Sequence, residues 1–120
     1  MGTSKRVLLI DDEQPILELF SAALTKRGHT FDTAENGRIG FRKATSEEYD
    51  LIICDLHMPE WDGVDSIKGI SMVKPHSLFL VVSGYAENVV ADEVRTLENV
   101  LAVMMKPVDL SELIKYVESI

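Results

Sequence analysis

The sequence predicts an α/β protein in which helices cover both faces of a parallel sheet. Four short segments each contain an unbroken apolar run, which is typical of strands buried on both faces. Stretches with helical periodicity separate these segments along the chain, as in alternating β and α units. Each apolar segment also stops abruptly at a polar or charged residue. The four segments are residues 5–10, 51–54, 77–82 and 100–105.

A helix is predicted after the first strand. Pro15 suits its first turn, where the missing N–H costs nothing. Apolar residues then recur with the spacing of one helical face: Ile16, Leu19, Phe20, Ala23 and Leu24. Gly28 ends this helix, and residues 29–33 form a short outer strand. His29 is expected at the surface.

Asn36-Gly37 opens the second predicted helix, whose inward positions are Gly40, Phe41 and Ala44. The central strand at residues 51–54 follows, and then a short helix at about residues 64–70. A further helix is predicted at residues 87–97, after the third apolar segment. Its apolar side is formed by Val90, Val94 and Leu97.

The last helix begins near Asp109, a favourable N-cap residue, and Glu112 three positions later completes a variant of the capping box. The count is five strands and five helices in alternation. Right-handed crossovers then give a three-layer, flavodoxin-like (βα)5 fold with strand order 2-1-3-4-5. One domain is expected over residues 1–120, with residues 1–4 as a disordered start or a remnant of cloning.

Composition restricts the function. The 120 residues have a net charge of −8, and a basic face for nucleic acid is therefore not expected on this domain. Neither an apolar run long enough for a bilayer nor the hydrophobic region of a signal peptide is found in the sequence. Cys54 is the single cysteine and lies inside an apolar strand, which indicates a small buried hydrophobic residue. A reducing, cytoplasmic setting is expected.

Acidic residues follow two of the predicted strands. Asp11 and Asp12 end the first strand, and Asp55 ends the central one. If these strands are neighbours, the three carboxylates converge, and their repulsion requires a bound proton or a divalent cation. Oxygen ligands without a thiolate favour a hard ion, Mg²⁺ first and Mn²⁺ second.

Two further polar residues end the remaining strands. Ser83 supplies a hydroxyl and Lys106 supplies a positive charge. Taken singly, each of these residues is more often a turn residue or a solvated side chain. Together with the acids they form a set suited to phosphoryl transfer, with Asp55 as the nucleophile and the cations offsetting charge on the transferring oxygens.

The sequence resembles a bacterial response-regulator receiver domain of two-component systems. The resemblance extends from Val7 to the last helix. Its specific parts are Asp11-Asp12 after Val-Leu-Leu-Ile, Asp55-Leu56-His57-Met58-Pro59 with Asp62-Gly63, Ser83-Gly84-Tyr85, and Lys106-Pro107. The string D-L-x-M-P-x-x-D-G is the most specific of these motifs.

The resemblance implies a role for each matching residue. Asp55 would be the phosphoacceptor. Asp12 and Asp55 would bind Mg²⁺ directly, Asp11 would help through water, and the backbone carbonyl of His57 would complete the protein ligands. Ser83 would donate a hydrogen bond to the phosphoryl group and Lys106 would pair with it. A cis peptide bond before Pro107 is also implied.

Val103 departs from the family pattern, because an aromatic residue usually stands three positions before the lysine. Without a ring that switches between exposed and buried positions, we expect signalling through backbone movement around residues 83–87 and the helix after them. His57 and Tyr85 lie two positions beyond Asp55 and Ser83. They either control the access of water to the acyl phosphate or are exposed loop residues without such a role.

The resulting hypothesis is a phosphorylation switch rather than a metabolic enzyme. The expected partners are a histidine kinase or histidine phosphotransfer protein and a downstream effector, and a homodimer through the last helices is compatible with the pattern. One alternative is a binding module of the same fold that works without phosphorylation. The other is a small Mg²⁺-dependent phosphohydrolase, which would usually need an acid where this chain has His57.

Overall fold

The structure is a computed structural model that describes residues 3–58, 61–84 and 93–120, without the side chains of His57, Trp61 and Asp62. Its elements in chain order are β1 (Arg6–Ile10), α1 (Gln14–Lys26), β2 (Thr30–Ala34), α2 (Gly37–Ser46), β3 (Leu51–Asp55), β4 (His57–Met58), β5 (Trp61–Asp62), α3 (Gly63–Val73), β6 (Phe79–Ser83), β7 (Val100–Met105) and α4 (Leu110–Ser119). Residues 93–95 are also helical. The rest of the helix predicted before them, residues 87–92, lies outside the described part of the chain.

Five strands form one parallel sheet in the order β2-β1-β3-β6-β7. This is the predicted order 2-1-3-4-5, because β6 and β7 are the fourth and fifth strands of the sheet. The flavodoxin-like fold is therefore confirmed. The short strands β4 and β5 pair separately as an antiparallel ribbon directly after Asp55, a feature that the sequence did not predict.

The sheet separates two hydrophobic cores, because successive side chains of a strand point to opposite faces. In β1, Leu8 and Ile10 enter the core that α2 and α3 cover. Val7 and Leu9 enter the core that α1 and α4 cover. Burial on both faces explains why the central strands are continuously apolar.

The inward face of α1 differs from the prediction. Leu17, Phe20 and Leu24 are buried, whereas Leu19 is 47% exposed. Residues two positions apart on a helix are separated by about 200°, so that a face centred on Leu17 directs Leu19 away from the sheet. Leu19 instead lines a groove between α1 and α4, together with Ile114.

The second helix, α2, begins as predicted. Gly40 and Ala44 are buried, and the Asn36 side chain caps α2 by accepting a hydrogen bond from the Ile39 N–H at 2.8 Å.

The expectation that His29 is a surface residue is wrong, since it is only 5% exposed.

Partners distant in sequence explain the burial of His29. Its Nδ1 accepts a hydrogen bond from the Lys5 N–H at 3.0 Å, and its Nε2 lies 3.0 Å from Glu118 Oε2. The ring therefore connects the start of β1 to the last turn of α4.

Among the described residues, the helices lack the length and apolar character needed to cross a membrane.

Candidate functional site

The polar residues that follow the sheet strands meet at one edge of the sheet. Ile10 pairs with Cys54 in the register of β1 and β3, so that Asp11 and Asp55 follow matched positions of neighbouring strands. Asp55 in turn pairs with Val82, the residue before Ser83. Ser83 pairs with Met105 at the end of β7, directly before Lys106. Parallel pairing thus brings four distant chain segments to the region where α/β proteins bind ligands.

Four carboxylates form the acidic part of this site. Asp11, Asp12, Glu13 and Asp55 each offer one oxygen, and these oxygens lie within 4.8 Å of one another. Asp11 and Asp55 are each only 3% exposed, whereas Asp12 and Glu13 face solvent. An all-oxygen set that is open on one side fits a hard divalent cation that keeps part of its water shell. The cluster is therefore consistent with divalent metal binding.

The electrostatics of Asp11 reflect this crowding. Burial raises the pKa of Asp11 to about 6, and the nearby charge of Asp55 acts in the same direction. A hydrogen bond from the Glu13 N–H to Asp11 Oδ1, at 2.8 Å, and the charge of Lys106 partly oppose that rise. Nearby positive charge therefore favours the ionised form of Asp11, as expected for carboxylates in close contact.

Lys106 supplies positive charge to the same site. Its Nζ lies 3.3 Å from Asp55 Oδ2, 3.5 Å from Asp11 Oδ2 and 3.2 Å from Glu13 Oε1. Burial disfavours the ammonium form, but the charges of Asp55 and Asp11 outweigh that effect and raise the pKa of Lys106 above its usual value. The lysine is therefore charged and shared among three carboxylates.

The backbone around Lys106 is also fixed. The Lys106 N–H donates a hydrogen bond to the Ser83 carbonyl at 2.8 Å, which ties the last residue of β6 to the residue after β7. The Lys106–Pro107 peptide bond is cis, as the family resemblance implies. Ser83 itself is fully buried at the end of β6.

The remaining predicted positions are only partly described. Val103 is partly buried and packs against the core covered by α2 and α3. The His57 side chain and Tyr85 lie outside the described part of the structure, and their proposed effect on water access stays a prediction. The same applies to residues 85–87 in the segment expected to move during signalling.

Cys54 directly precedes Asp55 in β3 and is buried. Burial, together with the charge of Asp55, raises the pKa of Cys54 to about 12, so the thiol is protonated at neutral pH and behaves as a small hydrophobic residue. Glu13 was not predicted as a site residue. The available signal was its position directly after Asp11-Asp12, at the carboxyl end of a strand.

Comparison with known proteins agrees with this geometry. Residues 7–118 match the family model of the response regulator receiver domain. The chain is 33% identical over 113 residues to the transcriptional regulatory protein GlrR of Escherichia coli (strain K12), covering 93% of this chain and 25% of GlrR. It is likewise 33% identical to the DNA-binding transcriptional regulator NtrC of Azospirillum brasilense, covering 93% of this chain and 23% of NtrC. The chain thus spans about a quarter of the length of these curated relatives.

Solved structures show the same architecture. The crystal structure of the response regulator TrrA from Thermotoga maritima, in complex with Mg²⁺ and BeF, superposes with a TM-score of 0.82 at 29% identity and covers 96% of this chain and 97% of TrrA. A CheY-like receiver domain protein from Methanospirillum hungatei JF-1 gives a TM-score of 0.89 at 24% identity, with 98% and 93% coverage, and supports the fold alone. The family match covers almost the whole sheet and all four strand ends of the site. The chain belongs to the response regulator receiver domain family.

Proposed function

We propose that Asp55 accepts a phosphoryl group from the phosphohistidine of a histidine kinase or histidine phosphotransfer protein. The observation that carries this proposal is the setting of the Asp55 carboxylate. It is buried at the end of β3, 3.3 Å from the Lys106 ammonium and within an acidic cluster suited to a divalent cation. Such a carboxylate is a nucleophile with positive charge already placed beside it.

The transfer exchanges one bond to phosphorus for another. An Asp55 oxygen attacks the phosphorus and forms a P–O bond while the P–N bond of the phosphohistidine breaks. The bonding electron pair leaves with the imidazole of the donor. Lys106 pairs with the transferred group, and Ser83 donates a hydrogen bond to it. The ammonium of Lys106 offsets the negative charge on the phosphoryl oxygens, and the hydrogen bond from Ser83 stabilises it further.

A Mg²⁺ ion fits the oxygen ligands of the cluster, with Mn²⁺ as a second candidate. Asp12 and Asp55 would hold it directly, Asp11 through water, and the backbone carbonyl of His57 would complete the protein ligands. The ion would neutralise charge on the phosphoryl oxygens. The related TrrA protein, whose crystal structure is a complex with Mg²⁺ and BeF, supports this assignment.

The phosphorylated domain would then transmit a conformational change to an effector. It would assist its own phosphorylation and slow hydrolysis, with the lifetime of the phosphoryl group depending on His57 and Tyr85. Because Val103 lacks a ring, movement would centre on residues 83–87 and the following helix. A homodimer through the last helices and a cytoplasmic location belong to the same proposal.

Relatives of the chain support an effector that acts on transcription. GlrR and NtrC are named as transcriptional regulators and are about four times as long as the matched region. With a net charge of −8, this domain itself is not expected to contact DNA. The effector would therefore be a separate domain or protein.

Intact-mass spectrometry after incubation with acetyl phosphate tests the proposal. Wild type with Mg²⁺ should gain the mass of one phosphoryl group, and removal of the metal with EDTA should prevent the gain. Asp55→Asn should not be labelled, whereas Glu98→Gln, which removes an exposed carboxylate elsewhere, should be labelled like wild type. An unlabelled wild type would favour the phosphorylation-independent binding module, and steady release of phosphate at an enzymatic rate would favour the phosphohydrolase.

A further inference from the structure

We propose that Glu13 is a positioning residue that holds Lys106 in the unphosphorylated state and opposes the arrival of a phosphoryl group at Asp55. The inference rests on the proposed function. Its structural basis is the ion pair between Glu13 Oε1 and Lys106 Nζ at 3.2 Å, the shortest of the three contacts between this ammonium and carboxylates of the described residues.

The location of Glu13 at the start of α1 supports this role. Its backbone carbonyl accepts hydrogen bonds from the N–H groups of Ile16 at 3.0 Å and Leu17 at 3.2 Å, as expected for an N-cap residue. Its side chain, however, makes no capping hydrogen bond. N-cap positions favour Ser, Thr, Asp and Asn, whose short side chains reach the exposed N–H groups. The longer Glu13 side chain instead reaches across to Lys106.

The three carboxylates around Lys106 differ in their exposure to solvent. The side chains of Asp11 and Asp55 are buried, whereas the Glu13 side chain is 58% exposed. Its backbone is held by the hydrogen bond from the Glu13 N–H to Asp11 Oδ1, so only the side chain is able to move without disturbing α1. Glu13 is therefore the carboxylate whose side chain is able to turn into solvent, and so release Lys106, at low cost.

Phosphorylation changes the charge balance at this point. A phosphoryl group on Asp55 takes Lys106 as its partner and brings its own negative charges next to the Glu13 carboxylate. Like charges on adjacent groups repel each other appreciably, even near a protein surface. Glu13 thus stabilises the free state relative to the phosphorylated state, and removing its charge should favour phosphorylation.

The test compares Glu13→Gln with wild type and with Glu18→Gln. Glu18→Gln removes one negative charge from an exposed position on α1, so the two variants have the same net charge. At low ionic strength, Glu13→Gln should increase the rate constant for phosphorylation by acetyl phosphate roughly three- to tenfold. The increase should shrink as salt is added, because salt screens exposed charges. Glu18→Gln should behave as wild type.

A spectroscopic measurement separates positioning from a general structural effect. The ¹H–¹⁵N signal of the Lys106 ammonium should shift in Glu13→Gln and stay unchanged in Glu18→Gln. Equal rates in wild type and Glu13→Gln, or an unshifted Lys106 signal, would overturn the inference while leaving the proposed function intact. A weaker Mg²⁺ affinity with an unshifted Lys106 signal would also overturn it, since Glu13 would then be a metal ligand. A wild-type protein that is not phosphorylated at all would overturn the proposed function and the inference together.

Discussion

Ser66 is a buried polar residue in α3 whose hydroxyl has no hydrogen-bond partner among the described residues. The residue is only 2% exposed, and its Oγ is buried. A buried hydroxyl without a partner loses its hydration and gains no compensating bond. Ser66→Ala should therefore increase the free energy of unfolding by about 1 kcal/mol, and the higher helix propensity of Ala acts in the same direction.

Urea unfolding of Ser66→Ala beside Ser71→Ala provides the measurement. Ser71 is also in α3, but its Oγ donates to the Ile67 carbonyl at 2.6 Å and accepts from the Asn99 amide at 2.5 Å. Ser71→Ala should lower stability, because the Asn99 amide loses its partner. A loss of stability in both variants would show that Ser66 has a polar partner after all.

The ion pair between Glu118 and Arg27 should make the stability of the folded state depend on pH. Its carboxylate accepts hydrogen bonds from Arg27 and contacts His29 Nε2, and these two partners lower the pKa of Glu118 to about 2, with Arg27 the larger cause. A carboxyl whose pKa is lower in the folded state stabilises that state while it is ionised. This contribution is complete above about pH 4.5 and is lost as the pH falls towards 2.

Glu118→Gln should therefore be less stable than wild type at neutral pH, and the difference should shrink between about pH 4.5 and 2. Urea midpoints measured at several pH values provide the test. Glu98→Gln, which removes an exposed carboxylate, is the control. A stability difference that stays constant through this acidic range would contradict the assigned ion pair.

The burial of His29 shows the limit of sequence reasoning at the scale of single residues. Its partners Lys5 and Glu118 are 24 and 89 positions away in the chain. A histidine in a mixed outer strand gives no local signal of such contacts. Glu13 is similar, because its exposed side chain acquires a role only through Lys106, 93 positions later.

At the scale of elements, α2 depends on close contact between Gly40 and β1. A Cβ placed on Gly40 would lie 2.5 Å from Ile10 Cδ1 and 2.9 Å from Ile10 Cγ1. Ile10 is itself buried and has little room to move. Gly40→Ala should therefore lower the free energy of unfolding by about 1–3 kcal/mol, the usual cost of overpacking a core.

A second substitution makes this prediction specific. Ile10→Val removes the Cδ1 atom that the new methyl group would meet. In the Ile10→Val background, Gly40→Ala should cost clearly less than in wild type, and urea unfolding of the four proteins gives the coupling free energy. Additive effects would mean that the added methyl group is accommodated in another way.

The strands were more predictable than the orientation of the helices. Each apolar segment of the sheet was located within two residues of the observed strand, because burial on both faces leaves an uninterrupted apolar run. In α1 the apolar residues cover more than one face, since Leu19, Ala22 and Ala23 line a groove with α4 while Leu17 and Phe20 enter the core. Periodicity alone therefore did not identify the inward face.

At the scale of the whole molecule, the order of the sheet assembles the site. Strands β1, β3, β6 and β7 are consecutive neighbours, and their carboxyl ends carry the acids, the hydroxyl and the lysine. The sequence predicted this convergence because each of the four apolar runs ends at a polar or charged residue. It did not predict the β4–β5 ribbon beside Asp55, whose two strands are only two residues long.

The most direct test of a single site at these strand ends is a ¹H–¹⁵N NMR titration with Mg²⁺ followed by beryllofluoride, an analogue of the phosphoryl group. We predict that Mg²⁺ shifts the amide signals of residues 10–13 and 54–57, and that beryllofluoride then shifts those of Ser83 and Lys106 as well. Asp55→Asn should abolish the second change. Shifts confined to other surfaces of the domain, or a full beryllofluoride response in Asp55→Asn, would contradict the proposal that these strand ends form one phosphoryl-accepting site.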